Sequence, residues 1–137
     1  MKRLLILLSL CLALALAATT AADVVGQNDK DIQAVADPIL DNLLAGFNEN
    51  NYQKYQKDFD DNLKEAISEQ KFLRVRTQIM GKLGKYQSRA FLGSLKQNNM
   101  SVVLYKGKFE KSDSDVLIKL VLNKRGDKIL VAGLWFQ

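Results

Sequence analysis

The spacing of hydrophobic positions changes once along the chain, near Gly84. Between Ile32 and Phe47, apolar residues recur three and four positions apart, which is the spacing of an amphipathic helix over more than four turns. After Gly84 the period falls to two, as in a β-strand whose faces differ. Helices followed by strands predict an α+β protein, with helices packed on one face of an antiparallel sheet.

Pro38 lies inside the first predicted helix and leaves two interpretations open. Proline cannot donate a backbone hydrogen bond to the carbonyl of Ala34, so the helix either kinks at Pro38 or begins afresh there with Asp37 as N-cap. The unbroken apolar spacing across Pro38 favours a single kinked helix.

Two further helices are predicted before the strands. The second covers residues 52–59, where three aromatic residues share one face, and one extra turn follows over residues 63–67. Ser68 is a predicted N-cap for the third helix, which ends near Gly81 or Gly84 because glycine readily adopts the left-handed conformation. Together with the first, these segments predict three N-terminal helices.

Four β-rich runs follow, joined by short polar links. The first extends over residues 86–95, and three more lie between Met100 and the last residue. Runs of this composition with short connections predict a four-stranded antiparallel meander. Gly107, in the middle of the second run, indicates a bulge or bend that would curve the sheet.

The last two predicted strands are apolar on both faces. A single sheet with one face in water alternates apolar and polar residues, so a second covering layer is expected here. Simple alternation places one set of large side chains on the outer face, and we interpret this set as the interface of a homodimer. Its members are Leu117, Val121, Leu130, Leu134 and Phe136.

The N-terminus has the three-part layout of a secretory signal peptide. Basic residues open the chain, an apolar run from Leu4 to Ala18 follows, and small residues precede Asp23. We predict cleavage after Ala22, with Ala17 or Ala18 as alternatives. The apolar run is shorter than the roughly 20 residues of a membrane span, so an uncleaved anchor is the weaker alternative and no stable membrane insertion is expected after cleavage.

Three segments are therefore predicted: a signal peptide over residues 1–22, a flexible arm over 23–30, and a single α+β domain over 31–137. The product would be secreted or periplasmic. Cys11 lies inside the apolar run, so the mature chain has no disulfide, and its stability must come from a hydrophobic core.

Charge is divided between the two halves of the mature chain. Residues 23–70 carry 11 acidic and 4 basic side chains, whereas residues 71–137 carry 4 acidic and 14 basic ones. The asymmetry indicates either a surface for an anionic partner or acidic helices that neutralise a basic sheet, and the second interpretation is favoured.

The mature sequence lacks the residues of the commonest catalytic and metal sites. It contains neither histidine nor cysteine, which excludes histidine-based triads, cysteine nucleophiles and ordinary zinc sites. No metal or cofactor is predicted. Gly81-Lys-Leu-Gly84 matches an RNA-binding GxxG loop, but a helix end followed by a strand requires glycine anyway, and no nucleic-acid partner is expected.

Several segments together resemble a known type of domain: residues 52–59, 72–86, 105–109 and 132–136. They are similar to an uncharacterised secreted bacterial domain of the nuclear-transport-factor-two-like, cystatin-like α+β superfamily, over about residues 29–137. The resemblance implies a cone-shaped fold, with helices in the concave side of a curved sheet and often dimerisation through its other face. Superfamily members include isomerases and dehydratases as well as non-catalytic binding and assembly modules.

Two functions follow from these observations. The favoured one is a non-enzymatic binding or assembly domain that acts through the outer sheet face or through a small apolar ligand held between helices and sheet. The alternative, implied by the superfamily isomerases, is a small isomerase- or hydrolyase-like enzyme with a carboxylate and a tyrosine in the cone. Its candidate residues are Tyr86, Tyr105, Asp58 and Asp60.

Overall fold

The computed structural model describes residues 25–137, so the predicted signal peptide lies outside the described residues. Four helices precede four strands, which confirms the α+β class. The helices are α1 (Asp29–Glu49), α2 (Tyr52–Tyr55), α3 (Asp61–Ala66) and α4 (Glu69–Leu83). The strands are β1 (Tyr86–Gln97), β2 (Met100–Phe109), β3 (Val116–Arg125) and β4 (Lys128–Phe136).

Helix α1 is continuous through Pro38, as the apolar spacing predicted. The Asn28 side chain caps it by accepting a hydrogen bond from the backbone N–H of Asp31 at 2.9 Å. Just before this cap, Val25 is 1 % exposed and belongs to the core, and its carbonyl accepts a hydrogen bond from Ser101. The predicted arm over residues 23–30 therefore includes both a core side chain and the start of α1.

The number of helices differs from the predicted three. Asp60 caps the extra turn by accepting from the N–H of Leu63 at 2.8 Å, so that α3 is a separate helix. The second predicted helix is reduced to the single turn of α2. Ser68 caps α4 as predicted, and Gly84, with a φ of +72°, lies at the end of α4.

The sheet is an antiparallel meander of order β1-β2-β3-β4, as predicted. Asn98 and Asn99 form the two-residue turn between β1 and β2, and both adopt positive φ angles, as a type I′ hairpin requires. Gly126 provides a positive φ in the turn between β3 and β4. The free edge of β4 is partly covered, because Val131 exchanges backbone hydrogen bonds with residues 58 and 60.

The hydrophobic core lies between α1 and one face of the sheet, here called the inner face. Leu40, Leu43 and Leu44 of α1 are at most 2 % exposed and belong to the same buried cluster as the strand residues. The strand residues of this cluster are Val103, Tyr105, Phe109, Val116, Ile118, Leu120, Leu122 and Val131. The core residues of β3 alternate with Leu117 and Val121, which simple alternation places on the other face.

The predicted faces of β4 are wrong over part of the strand, because a β-bulge interrupts the alternation. Val121 pairs with Gly133 and Leu122 with Val131, so Ala132 has no opposite residue in β3. The extra residue reverses the orientation of every side chain beyond it relative to simple alternation. Phe136 therefore packs edge-on against Phe47 and Phe109 in the core.

Candidate functional site

The outer face of the sheet carries two of the three most exposed large hydrophobic side chains in residues 25–137. Leu92, Leu95 and Trp135 are 57 %, 50 % and 47 % exposed, respectively. Leu95 pairs with Val102, and Trp135 pairs with Lys119, so these two lie on the face opposite the core, whereas Leu92 is the unpaired residue at the register shift between Phe91 and Gly93. We call the face opposite the core the outer sheet face, and its apolar members are Leu95, Val102, Leu104, Leu117, Val121, Leu130 and Trp135.

The predicted interface residues divide between the two faces. Leu117, Val121 and Leu130 lie on the outer sheet face, as predicted. Leu134 and Phe136 pack against the core instead, because the bulge at Ala132 turns them inward. Trp135, which simple alternation placed inward, takes their position on the outer face.

Trp135 lies flat against the sheet. A methyl group added at Gly133 would collide with the indole ring, so the absence of a side chain at Gly133 is what permits this position. The ammonium group of Lys119 lies 5.2 Å from the centre of the ring. This cation–π contact helps to hold the ring in place, while about half of the Trp135 side chain stays exposed.

A polar cluster lies on the opposite face, where α1 crosses β1 and β2. The hydroxyl of Tyr105 donates a hydrogen bond to the Asp37 carboxylate at 2.9 Å. The guanidinium group of Arg89 contacts Asp41 at 2.6 Å and Asp37 at 3.6 Å, and donates to the Tyr86 hydroxyl at 3.0 Å. The cluster thus contains the carboxylate–tyrosine pair that the enzyme alternative requires.

The surroundings of Tyr105 do not suit catalysis. Tyr105 is 1 % exposed, with Phe91 packed against one side of its ring and the Arg89 guanidinium carbon 5.2 Å from the ring centre. Burial, followed by the hydrogen bond to Asp37, raises the pKa of Tyr105 well above its ordinary value. Tyr105 is therefore a neutral hydrogen-bond donor within a packed core.

Asp58 and Asp60 lie away from both tyrosines. The backbone of residues 58 and 60 pairs with β4, whereas Tyr105 lies on β2, so three strand spacings of about 4.8 Å, roughly 14 Å in all, separate them. Asp60 caps α3 and accepts a hydrogen bond from the Asn123 side chain at 2.9 Å. The structure therefore does not bring the predicted acids and tyrosines together.

The residues that do surround Tyr105 were missed by the sequence reasoning. Asp37 and Asp41 are four positions apart, so a helix places them on one face, and this spacing was the available signal. Arg89 is a charged residue within β1, where two register shifts make its face unpredictable from simple alternation.

The buried hydroxyls give the free energy of unfolding a dependence on alkaline pH. Burial raises the pKa of Tyr55 to about 12 and also raises the pKa of Tyr105. Tyrosines in the unfolded chain ionise near pH 10. The folded state then binds more protons than the unfolded state, so stability falls as pH rises above 10, by about 1.4 kcal/mol per pH unit for each group. We expect Tyr105→Phe to lose stability less steeply than the wild type in urea denaturation between pH 10 and 12. Parallel pH profiles for the two proteins would contradict this account.

Residues 25–137 contain neither a cluster of metal-ligating side chains nor a helix suited to span a membrane. No group of three or more potential metal-ligating side chains occurs in this part of the chain. None of the described helices combines the length and apolar character needed to cross a membrane.

A cavity of about 400 Å³ lies on the inner side of the sheet, at the end where β3 begins and β4 finishes. The last two turns of α4 form one wall, and the loop between β2 and β3 forms another. Its apolar surface comes from Ile79, Leu83, Val116 and Phe136.

Residues 41–127 match the family model described as protein of unknown function (DUF3887). The chain belongs to the DUF3887 family. Searches of curated proteins and of solved structures find no match. The DUF3887 segment begins within α1 and ends in the turn before β4, so it includes Arg89 and Tyr105 but neither Asp37 nor Trp135.

Proposed function

We propose that this DUF3887 protein is a non-enzymatic assembly domain that is exported and pairs with a second copy through the outer sheet face. The observation that carries the proposal is the exposed Trp135, held flat by Gly133 and Lys119 among apolar neighbours. Aromatic residues are enriched at the centres of protein interfaces, and large apolar patches on a protein surface commonly mark interaction sites.

The size of the outer sheet face supports a second copy as the occupant. Four strands about 4.8 Å apart, each with about nine residues rising 3.3 Å, give a flat area of about 570 Å². Two such faces would bury about 1,100 Å² before the relief of the side chains is counted, which approaches the 1,200–2,000 Å² of stable interfaces. Lys106 and Lys108 lie towards one end of the face, whereas Lys119 lies within it between Leu104 and Trp135, with its ammonium over the Trp135 ring.

The polar cluster supports a structural role rather than an enzymatic one. A catalytic tyrosine must reach substrate, whereas Tyr105 is enclosed by Phe91, Arg89 and the core. Its hydrogen bond to Asp37 and the ion pairs of Arg89 join α1 to the two strands beneath it. We therefore assign these residues to the stability of the fold.

Export and a cystatin-like cone are parts of the same proposal. The basic start, the apolar N-terminal run and the small residues before Asp23 support secretion. The order of helices and strands and the single meander are consistent with a nuclear-transport-factor-two-like domain. In that arrangement the outer sheet face would remain free for pairing.

Native mass spectrometry of the protein purified from its own host tests pairing and export together. We expect two copies per particle, each lacking residues 1–22. A particle with one copy at micromolar concentration would overturn the pairing, and an intact N-terminus would overturn the export, so the two parts fail separately.

Trp135→Lys is expected to convert the dimer to a monomer. An interfacial tryptophan is commonly worth 2 kcal/mol or more and occurs twice in a symmetric dimer, so the dissociation constant should rise on the order of a thousandfold. Leu73→Lys is the matched control, because Leu73 is 43 % exposed but lies on α4. Sedimentation measures both variants, and circular dichroism verifies their folding. Equal dissociation constants for the two variants would exclude the outer sheet face as the interface.

A further inference from the structure

The cavity beside α4 is flanked by contacts at both ends of its helical wall. Arg76 donates hydrogen bonds to the carbonyls of Phe47 and Asn48, at 2.5 and 3.0 Å, which ties the middle of α4 to the end of α1. At the other end, the N–H of Lys111 donates to the Leu83 carbonyl at 2.8 Å. These contacts attach α4 to α1 and to the loop before β3, the two elements that flank the cavity wall.

The interior of the cavity is apolar. Val116 is 4 % exposed and belongs to the core, and Phe136 joins the aromatic contacts beneath α1. Ile79 and Leu83 face them from α4 as partly buried residues. A ligand that enters this space therefore has to bring a hydrocarbon part to replace water against this apolar lining.

The polar side chains around the cavity determine the charge of the ligand. Lys82 is the cation that lines it, and within residues 25–137 the Lys82 ammonium makes no salt bridge. Asp115 also lines the cavity, but its carboxylate is paired with Lys108 at 2.5 Å, and this hydrogen bond holds the pKa of Asp115 below its usual range. Because the Asp115 carboxylate is already paired, Lys82 favours an anionic head group. Ser112 and Ser114 also line the cavity, and the Ser112 hydroxyl donates a hydrogen bond to the Ser114 carbonyl at 3.1 Å.

The volume sets the length of the ligand. If each non-hydrogen atom takes the roughly 30 Å³ of a water molecule, a cavity of about 400 Å³ holds about 13 atoms. We propose that the cavity between α4 and the ends of β3 and β4 binds an aliphatic monocarboxylate of medium chain length, with its chain against Val116 and Phe136 and its carboxylate at Lys82. This site lies on the inner side of the sheet, so it does not depend on the proposed pairing.

The probes for this proposal are decanoate, hexanoate and decanol, each kept below its aggregation concentration. Decanoate should bind saturably, and it should shift NMR signals of Ile79, Leu83 and Val116. Hexanoate lacks four methylene groups, each worth about 0.8 kcal/mol when buried, so it should bind on the order of 100-fold more weakly. Equal affinities for decanoate and hexanoate, or shifts confined to the outer sheet face, would overturn the proposal.

Lys82→Met tests the position of the carboxylate. An exposed ion pair is worth about 0.2–1 kcal/mol, so decanoate should bind about 1.4- to fivefold more weakly to this variant while decanol binds as before. Lys85→Met removes the same charge just beyond α4 from a residue outside the lining, and it should leave both affinities unchanged. Equal weakening by the two substitutions would refute a specific carboxylate contact at Lys82.

Discussion

Gly46→Ala is expected to destabilise the protein by about 3 kcal/mol, the upper end of the range for overpacked sites. Gly46 lies in α1 with its backbone against α2, and an added methyl group would lie 2.5 Å from the Tyr55 nitrogen and 2.8 Å from its α carbon. These are backbone atoms, so no side-chain rotation can relieve the collision. The Gly46 carbonyl also accepts a hydrogen bond from Asn51, which fixes the start of α2 at this distance.

Gly81→Ala is the matched control, because Gly81 is also a helical glycine. Nothing lies within 4 Å of the methyl group added at Gly81, on the exposed side of α4. Alanine is favoured over glycine in helices by up to about 1 kcal/mol, so this variant should be slightly more stable than the wild type. Urea denaturation at neutral pH measures both. A neutral Gly46→Ala would mean that α2 can move away from α1 at little cost.

These two glycines illustrate what local sequence pattern can and cannot predict. The apolar spacing from Ile32 to Phe47 predicted α1 through Pro38, because residues three and four positions apart form one apolar face of a helix, and that face is buried. The role of Gly46 depends on the approach of α2, which is a tertiary contact. The order of the strands in the meander could also be predicted from the sequence, since short polar links between β-rich runs leave little choice of strand order.

The faces of β4 show where alternation fails. One unpaired residue, Ala132, moves the side chains that follow it to the opposite face of the sheet. Leu134 and Phe136 therefore pack in the core, and Trp135 lies on the outer sheet face. Part of the excess apolar surface that suggested a covering partner is therefore accounted for within the monomer. What remains on the outer sheet face is smaller and has Trp135 as its most exposed aromatic side chain.

The polar cluster was only half predictable. Tyr86 and Tyr105 could be selected as tyrosines of a sheet covered by helices, but their acidic partner depends on where α1 crosses the strands. Asp37 is 68 residues from Tyr105 in the sequence, and no local pattern reports that contact. Asp58 and Asp60, the predicted acidic residues, lie in and just after the second predicted helix. Backbone pairing with β4 holds them at the edge of the sheet far from Tyr105.

Arg89→Met is expected to destabilise the protein by about 2–3 kcal/mol. The Arg89 side chain is 12 % exposed, and its loss removes hydrogen bonds to Asp41, to the Tyr86 hydroxyl and to the Asp37 carbonyl. Removing one member of a fully buried ion pair costs 3–5 kcal/mol, but the Asp37 and Asp41 side chains are 36 % and 66 % exposed, and water then solvates the carboxylates in part. Methionine retains most of the packing against Tyr105, so the loss reports mainly on the polar contacts.

Lys108→Met separates this effect from the general loss of a positive charge. Lys108 pairs with Asp115 by side chains that are 48 % and 52 % exposed, and such pairs contribute at most about 1 kcal/mol. Urea denaturation at neutral pH should therefore rank Arg89→Met well below Lys108→Met in stability. If the two variants were equally stable, Arg89 would not be joining α1 to the sheet, and the polar cluster would be free for the chemistry that its tyrosine and carboxylate could otherwise perform. A large difference assigns the cluster to the fold and leaves the outer sheet face and the cavity beside α4 as the surfaces available for binding.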